Sequence, residues 1–377
     1  MRVLHFYKTS LPDTMGGTEQ VINQIARGVQ HLGVDTDVLS LTPHRVPRTI
    51  EVDGYLVHRA HLDFQIASTF FSASAFLRFA QLSQKADLVH YHFPWPFMDV
   101  VHFLSRVKKP TVVTYHSDII RQKTLLKLYR PLKQQFLKSM DAIVATSPNY
   151  LASSSVLSRY ADKVRVIPIG LDKETYPQPT ADRLQYWRNK LGPKFFLFVG
   201  VLRYYKGLHI LMEAAAGTSF PIVIVGAGPI EQELRQQAAN LGLVNVHFLG
   251  FLDDGDKVAL LTLCYAVLFP SHLRSEAFGI SLLEGAMYGK PLISSEIGTG
   301  TTYVNIAGET GLVVPPSDSN ALRAALQYLW DHPLEAARMG ERVEQRYWQH
   351  FTARQMAKSY VDLYGELIAK KRQAIDR

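Results

Sequence analysis

Two carboxylates interrupt the apolar stretch HLRSEAFGISLLEGAMYGKP (272–291): Glu276 and Glu284, with seven residues between them and a glycine, Gly279, in the interval. The stretch follows a strand ending at Phe269, and its periodicity predicts a helix from about Phe278 to Tyr288, stopped by Gly289 and Pro291. Glu276 then stands in the loop just ahead of the helix and Glu284 inside it. Amides near Phe278, Gly279 and Ile280 have no acceptor within the helix and suit an anion, while carboxylates accept hydrogen bonds from neutral hydroxyls. A ligand carrying a hydroxylated sugar, a diphosphate and a ribose would use all of these groups. The plainer reading makes Glu276 a helix-capping acid and Glu284 a surface residue.

Cations stand at an equivalent place. FVGVLRYYKGLHIL (198–211) joins a strand to a helix and carries Arg203 and Lys206 beside Gly207. Two cations at a strand end match a diphosphate. LPDTMGGTEQ (11–20) offers Gly16 and Gly17 where the backbone could approach a phosphate or a sugar oxygen, with Thr18 as a helix cap. IVIVGAGPIEQEL (222–234) begins like a dinucleotide fingerprint, but Glu231 occupies the third glycine position. Gly226 and Gly228 are therefore read as leaving room for a base or ribose. LDDGDK (252–257) reads as a polar loop. Outside that loop, whose Asp254-Gly255-Asp256 is read as part of its polar surface, there is no Asp-x-Asp at a strand end, so no metal and no other cofactor is called for.

These residues need strands that end together. The chain has 377 residues, nearly half apolar, with one cysteine and a net charge of +8. That length suggests two domains, and the charge suggests an acidic partner. Cys264 lies in an apolar run and reads as a small core residue. No run is long enough to span a membrane. Strand candidates RVLHFY, DTDVLSL, LVHYH, TVVTYH, AIVATS and VRVIPIG alternate with helices, among them TEQVINQIARGVQHLG with Val21, Ile25 and Val29 on one face. The alternation restarts with FFLFVG, PIVIVG, NVHFLG, YAVLFP, PLISSE and GLVVP. Both halves therefore read as doubly wound parallel α/β sheets, with ligands at the carboxyl ends of the strands. The seam is the polar, proline-bearing segment 171–194.

With these motifs in place, the chain resembles the retaining GT-B-fold glycosyltransferases of family 4 type over nearly its whole length. The resemblance rests on EAFGISLLE, then GKPLISS and GETGLVVPPSD, with MGGTEQ, DLVHYH, TVVTYHSD, VIPIGLD, GAGP and FLGFL in the family's order. It implies two Rossmann-like domains facing across a cleft: 1–170 for the acceptor, 171–194 as a linker region, 195–351 for the nucleotide sugar, and a C-terminal helix, 352–377, crossing back to the first domain. Glu276 would hold the donor sugar's hydroxyls and Glu284 the ribose. Arg203 and Lys206 would neutralise the leaving diphosphate, and the Gly17 amide would contact phosphate. His116 would meet the sugar near the reacting carbon, and Gly228, Pro229 and Leu252 would border the base. Two positions depart from the family form: Val201 follows Gly200 where arginine is common, and Ile169 replaces an asparagine. The GVLRYYKG and SHLRSEAFGISLLEG forms look like bacterial mannosyltransferases of O-antigen or exopolysaccharide assembly, which implies GDP-mannose as donor. A UDP-sugar donor is the alternative.

The acceptor side is read from IIRQKTLLKLYRPLKQQFLKSM (119–140). Arg121, Lys123, Lys127, Arg130, Lys133 and Lys138 have no acid among them, and Pro131 is expected to break the helix. A basic amphipathic helix suits an anionic membrane surface, with FFSASAFLRFAQL (70–82) as a second apolar segment. The expected acceptor is a lipid-linked saccharide, and the expected location the cytoplasmic face of the cell membrane. Four other readings stand lower. A sugar-nucleotide epimerase would need no acceptor surface, and a retaining glycosidase would need both carboxylates at one carbon. A non-catalytic binding module would not need Glu276, Glu284, Lys206 and His116 intact. Nucleic-acid binding is disfavoured, because the basic residues do not surround stacking aromatics.

Overall fold

The computed structural model describes residues 1–44, 48–66, 69–119 and 123–375, the side chains of 123–126 and 375 excepted. The chain divides into two compact units, residues 1–170 with 353–377, and residues 171–352.

In the first unit the strands are β1 (Arg2–Phe6), β2 (Asp35–Thr42), β3 (Thr49–Val52), β4 (Tyr55–His61), β5 (Phe64–Ile66), β6 (Thr69–Phe71), β7 (Leu88–Phe93), β8 (Thr111–Tyr115), β9 (Ala142–Ala145) and β10 (Val164–Val166). Eight of them form one sheet in the order β10-β9-β8-β7-β1-β2-β4-β3. All neighbours are parallel except β3, which pairs antiparallel with β4. The sequence reading missed that hairpin. Asp53 and Gly54, with φ of 47° and 87°, form the two-residue turn that Asp-Gly favours. A small hairpin, β5–β6, follows.

The helix Gly17–Gln30 buries Val21, Ile25 and Val29, as its periodicity predicts. Each buried aliphatic side chain contributes about 2 kcal/mol. Its cap is Gly16 rather than Thr18, which sits inside the first turn. Gly28 lets the helix meet Ala353–Ile375: a Cβ there would lie 2.8 Å from the Ala357 Cβ.

The central strands of this sheet bury a polar layer. His5 of β1 is register partner to His90 of β7, and His92 to Thr114 of β8. Side chains two apart share a sheet face, so His5, His90, His92, Thr114 and His116 form one patch. Tyr364 and Tyr360 of the C-terminal helix close it, hydrogen-bonding to His90 Nδ1 (2.7 Å) and Thr114 Oγ1 (2.9 Å).

The second unit holds β11 (Phe196–Val199), β12 (Ile222–Val225), β13 (Val246–Gly250), β14 (Ala266–Phe269), β15 (Leu292–Ser295) and β16 (Gly311–Val314), all parallel, in the order β13-β12-β11-β14-β15-β16. Strands β11, β12, β14 and β15 are buried throughout, as a sheet covered on both faces requires. Cys264 is a buried core thiol, with its pKa pushed up to about 12 by burial. The segment 171–194, read as a linker, contains the helix Ala181–Leu191 and belongs to this unit.

The histidine layer makes a pH prediction. Burial lowers the pKa of His5 and of His116 from 6.5 to about 3, and burial with neighbouring imidazoles holds His90 and His92 well below the usual value. A lowered imidazole pKa means that the unfolded chain binds more protons, so stability present above pH 6.5 is lost as pH falls toward 3. The urea midpoint should fall steadily below pH 6. His5→Phe should reduce that slope by roughly 1.4 kcal/mol per pH unit, the contribution of one proton.

Candidate active site

β11 and β14 are neighbours, so the loops that follow them emerge side by side at the carboxyl edge of the second sheet. Gly207, at φ +72°, lies against the carbonyl of Pro270: a Cβ would stand 2.0 Å from that oxygen. Only glycine fits there. The close approach brings Lys206 to Glu276, with Nζ 2.5 Å from Oε2 and the two side chains only 12% and 13% exposed. The ammonium also sits 4.7 Å from the Phe269 ring centroid. Burial opposes the charge on Lys206, but Glu276 and then Tyr205 outweigh it and raise its pKa.

Glu276 stands in the loop before the helix Ile280–Met287, and Glu284 inside that helix. Phe278 is buried, and Gly279 caps the helix at φ +98°. The amide of Leu283 is the first to bond back to Gly279, so the Ile280 amide precedes the helix's own ladder. Glu284 is buried rather than on the surface. Its Oε1 accepts from the Tyr176 hydroxyl at 3.0 Å and pairs with Lys257 at 3.2 Å. Burial opposes the Lys257 charge, yet Glu284 and Asp254 (2.9 Å) prevail and push its pKa up to about 12.

Lys257 and Tyr176 both lay in segments that the sequence reading set aside. LDDGDK opens the helix Asp254–Leu263, which Asp253 caps by accepting from the Asp256 amide at 2.8 Å. Its first turn carries Lys257 to Glu284. The available signal was Asp-x-x-Asp ahead of an apolar run, a capping pattern. Tyr176 comes from the supposed linker, and no local pattern marks it.

Arg203 follows β11 and is exposed with Val201, while Leu202 between them is buried, the alternation of an extended segment. It pairs with no carboxylate among the described residues. Gly228, Pro229 and Leu252 follow β12 and β13 on the same edge. The glycines at 226 and 228 are also required by neighbouring backbone. A Cβ on Gly226 would lie 2.0 Å from the Gly200 oxygen, and one on Gly228 would lie 2.3 Å from the Leu202 oxygen. Gly16, Gly17 and His116 belong to the first unit, at the carboxyl ends of β1 and β8. His116 is half-buried, and its Nε2 lies 2.9 Å from His92 Nδ1.

Comparison with known proteins accounts for both units. Residues 183–346 match the family described as glycosyl transferases group 1, and residues 15–175 match Glycosyltransferase Family 4. The D-rhamnosyltransferase WbpZ of Pseudomonas aeruginosa is 64% identical over 353 residues, 94% of this chain and 93% of that protein. The O-antigen chain mannosyltransferase C of Escherichia coli is 50% identical over 371 residues, 98% of this chain and all of that one. This chain is a family 4 glycosyltransferase. Among solved structures, sucrose-phosphate synthase from Thermosynechococcus elongatus superposes with a TM-score of 0.82 at 22% identity, covering 98% of this chain and 99% of that one. Anabaena HepE in complex with UDP-glucose superposes at 0.77 and 21%, covering 97% and 100%. Both share the GT-B fold expected for this glycosyltransferase.

The glycosyltransferase's basic segment is a helix, Lys123–Ser139, that runs through Pro131 rather than breaking there. Pro131 is exposed, and the helix continues past it despite the lost N–H. Lys127, Arg130 and Lys138 are exposed, as is Leu128 at 77%. Lys133 is half-buried, its pKa lowered by burial despite the nearby Asp118 and Asp99, so it leaves the exposed set. Arg121 lies outside the described residues, and Lys123 is placed by its backbone only. Among the described residues no helix is long and apolar enough to cross a membrane.

Removing Lys257 tests the architecture of the Glu284 site. Lys257→Ala leaves a buried carboxylate with Tyr176 as its one remaining described partner, and should cost about 3 kcal/mol in chemical denaturation. In the Lys257→Ala background, Glu284→Gln should recover part of that loss.

Proposed function

We propose that this glycosyltransferase moves a mannosyl residue, with retention of configuration, from GDP-mannose to a lipid-linked saccharide during O-antigen assembly. The observation that carries the reading is the buried Lys206–Glu276 pair beside Glu284 on one sheet edge. A nucleoside diphosphate would exchange partners with that pair: its phosphates take Lys206 and the exposed Arg203, while the sugar hydroxyls donate to Glu276 and the ribose hydroxyls to Glu284. Gly17 and His116 of the first unit are proposed as further donor contacts.

In the reaction the bond from the sugar's anomeric carbon to the phosphate oxygen breaks, and a bond to the acceptor oxygen forms. The acceptor proton passes to the departing phosphate. Fixed cations at the leaving group favour the transition state over the ground state. No metal is needed for this reading.

One relative favours a close variant. D-Rhamnose is mannose without its 6-hydroxyl, and the 64% identical protein is a D-rhamnosyltransferase. A GDP-linked 6-deoxymannose is therefore the second donor to test. Thermal shift and slow donor hydrolysis should respond to GDP and GDP-mannose, and Glu284→Ala should abolish the response. Lys206→Ala should lower kcat/KM about 100- to 1000-fold, with wild-type rates unchanged by EDTA. A response confined to the 6-deoxy donor, or to UDP-sugars, would replace the mannose assignment.

The exposed Lys127, Leu128 and Arg130, with the exposed apolar Phe64, Ile66 and Leu77 of the same unit, support docking on anionic lipid at the cytoplasmic face. Sedimentation with vesicles containing phosphatidylglycerol should pull down the wild type at low salt. A Lys127→Glu, Arg130→Glu, Lys138→Glu variant should remain in the supernatant. Equal binding to neutral vesicles would rule against the electrostatic part.

A further inference from the structure

Behind His116 stands a single file of imidazoles. His116 Nε2 lies 2.9 Å from His92 Nδ1, and His92 Nε2 lies 2.9 Å from His5 Nδ1. The rings of His92 and His116 stack at 5.2 Å with an interplanar angle of 21°, and those of His5 and His92 at 5.2 Å and 19°. The file ends at His5 Nε2, which is buried with no partner among the described residues. His90 stacks on the file at 4.5 Å from His92 but does not join it: its nitrogens bond to Tyr364 and Thr114. His5, His90 and His92 offer three nitrogens within 4.8 Å of one another, a spacing a metal ion could use. Hydrogen bonds occupy both nitrogens of His90 and His92, however, so that donor set leaves only His5 Nε2 free.

A neutral imidazole has one N–H and one lone pair. Each link in the file needs a donor on one side and an acceptor on the other. Only two proton arrangements satisfy both links, and they differ at every ring together. In one, Nδ1 of His5 donates to His92, Nδ1 of His92 donates to His116, and His116 keeps its proton on Nδ1. In the other, every proton sits on Nε2, and His5 buries an N–H with nothing to accept it. Orphaned buried N–H groups are the rarer defect.

We infer that His5 and His92 are positioning residues that fix the tautomer of His116, so that His116 Nδ1 meets its ligand as a hydrogen-bond donor. The inference rests on His116 as a donor-sugar contact for its use in catalysis, but the tautomer itself does not. The remaining neighbours of the file suit this arrangement: Tyr7 packs edge-on 6.1 Å from His92 and tilted 6.5 Å from His116, and among the described residues no carboxylate is bonded to any of the three rings.

The experiment is long-range proton–nitrogen NMR correlation on histidine-labelled protein, with the His116 signals assigned by loss in His116→Gln. The wild type should show a single His116 tautomer protonated at Nδ1. His92→Phe and, separately, His5→Phe should convert it to a mixture. Because both replacements exchange one flat buried ring for another, a folded spectrum is expected from at least one. If half the molecules then hold the wrong tautomer, the apparent donor KM should rise about twofold while the fold is kept. Protonation at Nε2 in the wild type, or a His116 tautomer unmoved in whichever variants fold, would overturn the inference. A fixed Nδ1 tautomer lost in the variants, together with no response to any sugar nucleotide, would instead remove the donor-contact reading and leave the relay standing.

Discussion

The contact between Gly207 and the Pro270 carbonyl is the constraint on which the paired charges of the second unit depend. It draws the loop after β11 against the loop after β14, and the Lys206–Glu276 pair exists because of it. Charges this poorly solvated are tolerated only when paired. A second pair, Lys257 with Glu284, meets the same requirement a short way along the sheet edge. Each acid of the motif is held by a lysine of the same unit. Under the proposed function, donor binding would be an exchange of partners, with part of the interaction energy going into separating groups already satisfied.

Much of this was legible in the sequence because parallel sheets write a strong pattern. Buried strands read as short apolar runs, and the motif acids stand out within one. The placement of Glu276 ahead of its helix and Glu284 inside it follows from local periodicity alone. The partners of those acids do not. Lys257 is 27 positions from Glu284 and Tyr176 is 108, a separation only the fold bridges. Gly226 and Gly228 show the opposite problem. Their type was visible, but whether a glycine makes room for ligand or for another strand-end loop depends on what lies beside it.

The first unit shows a similar division. Its parallel strands were readable, while the hairpin at Asp53–Gly54 carried a known turn signal that was passed over in favour of a uniform alternation. The histidine layer was hidden for a different reason. His5, His90 and His92 each sit in an apolar strand, where a lone histidine says little. Register places the histidines of two strands on one face, with His116 after a third. Lys133 was misjudged because helical charge counts do not reveal which side meets the sheet.

The first unit is also discontinuous in sequence, closed by the helix Ala353–Ile375. During synthesis residues 171–352 leave the ribosome before that helix does. The second unit, contiguous, is complete by residue 352, whereas the first, although its strands are made earlier, waits for Tyr360 and Tyr364 to seal His90 and Thr114. The unit that begins the chain is therefore the last to be completed. Until then its imidazole layer faces water, where those rings take up protons that the finished core excludes.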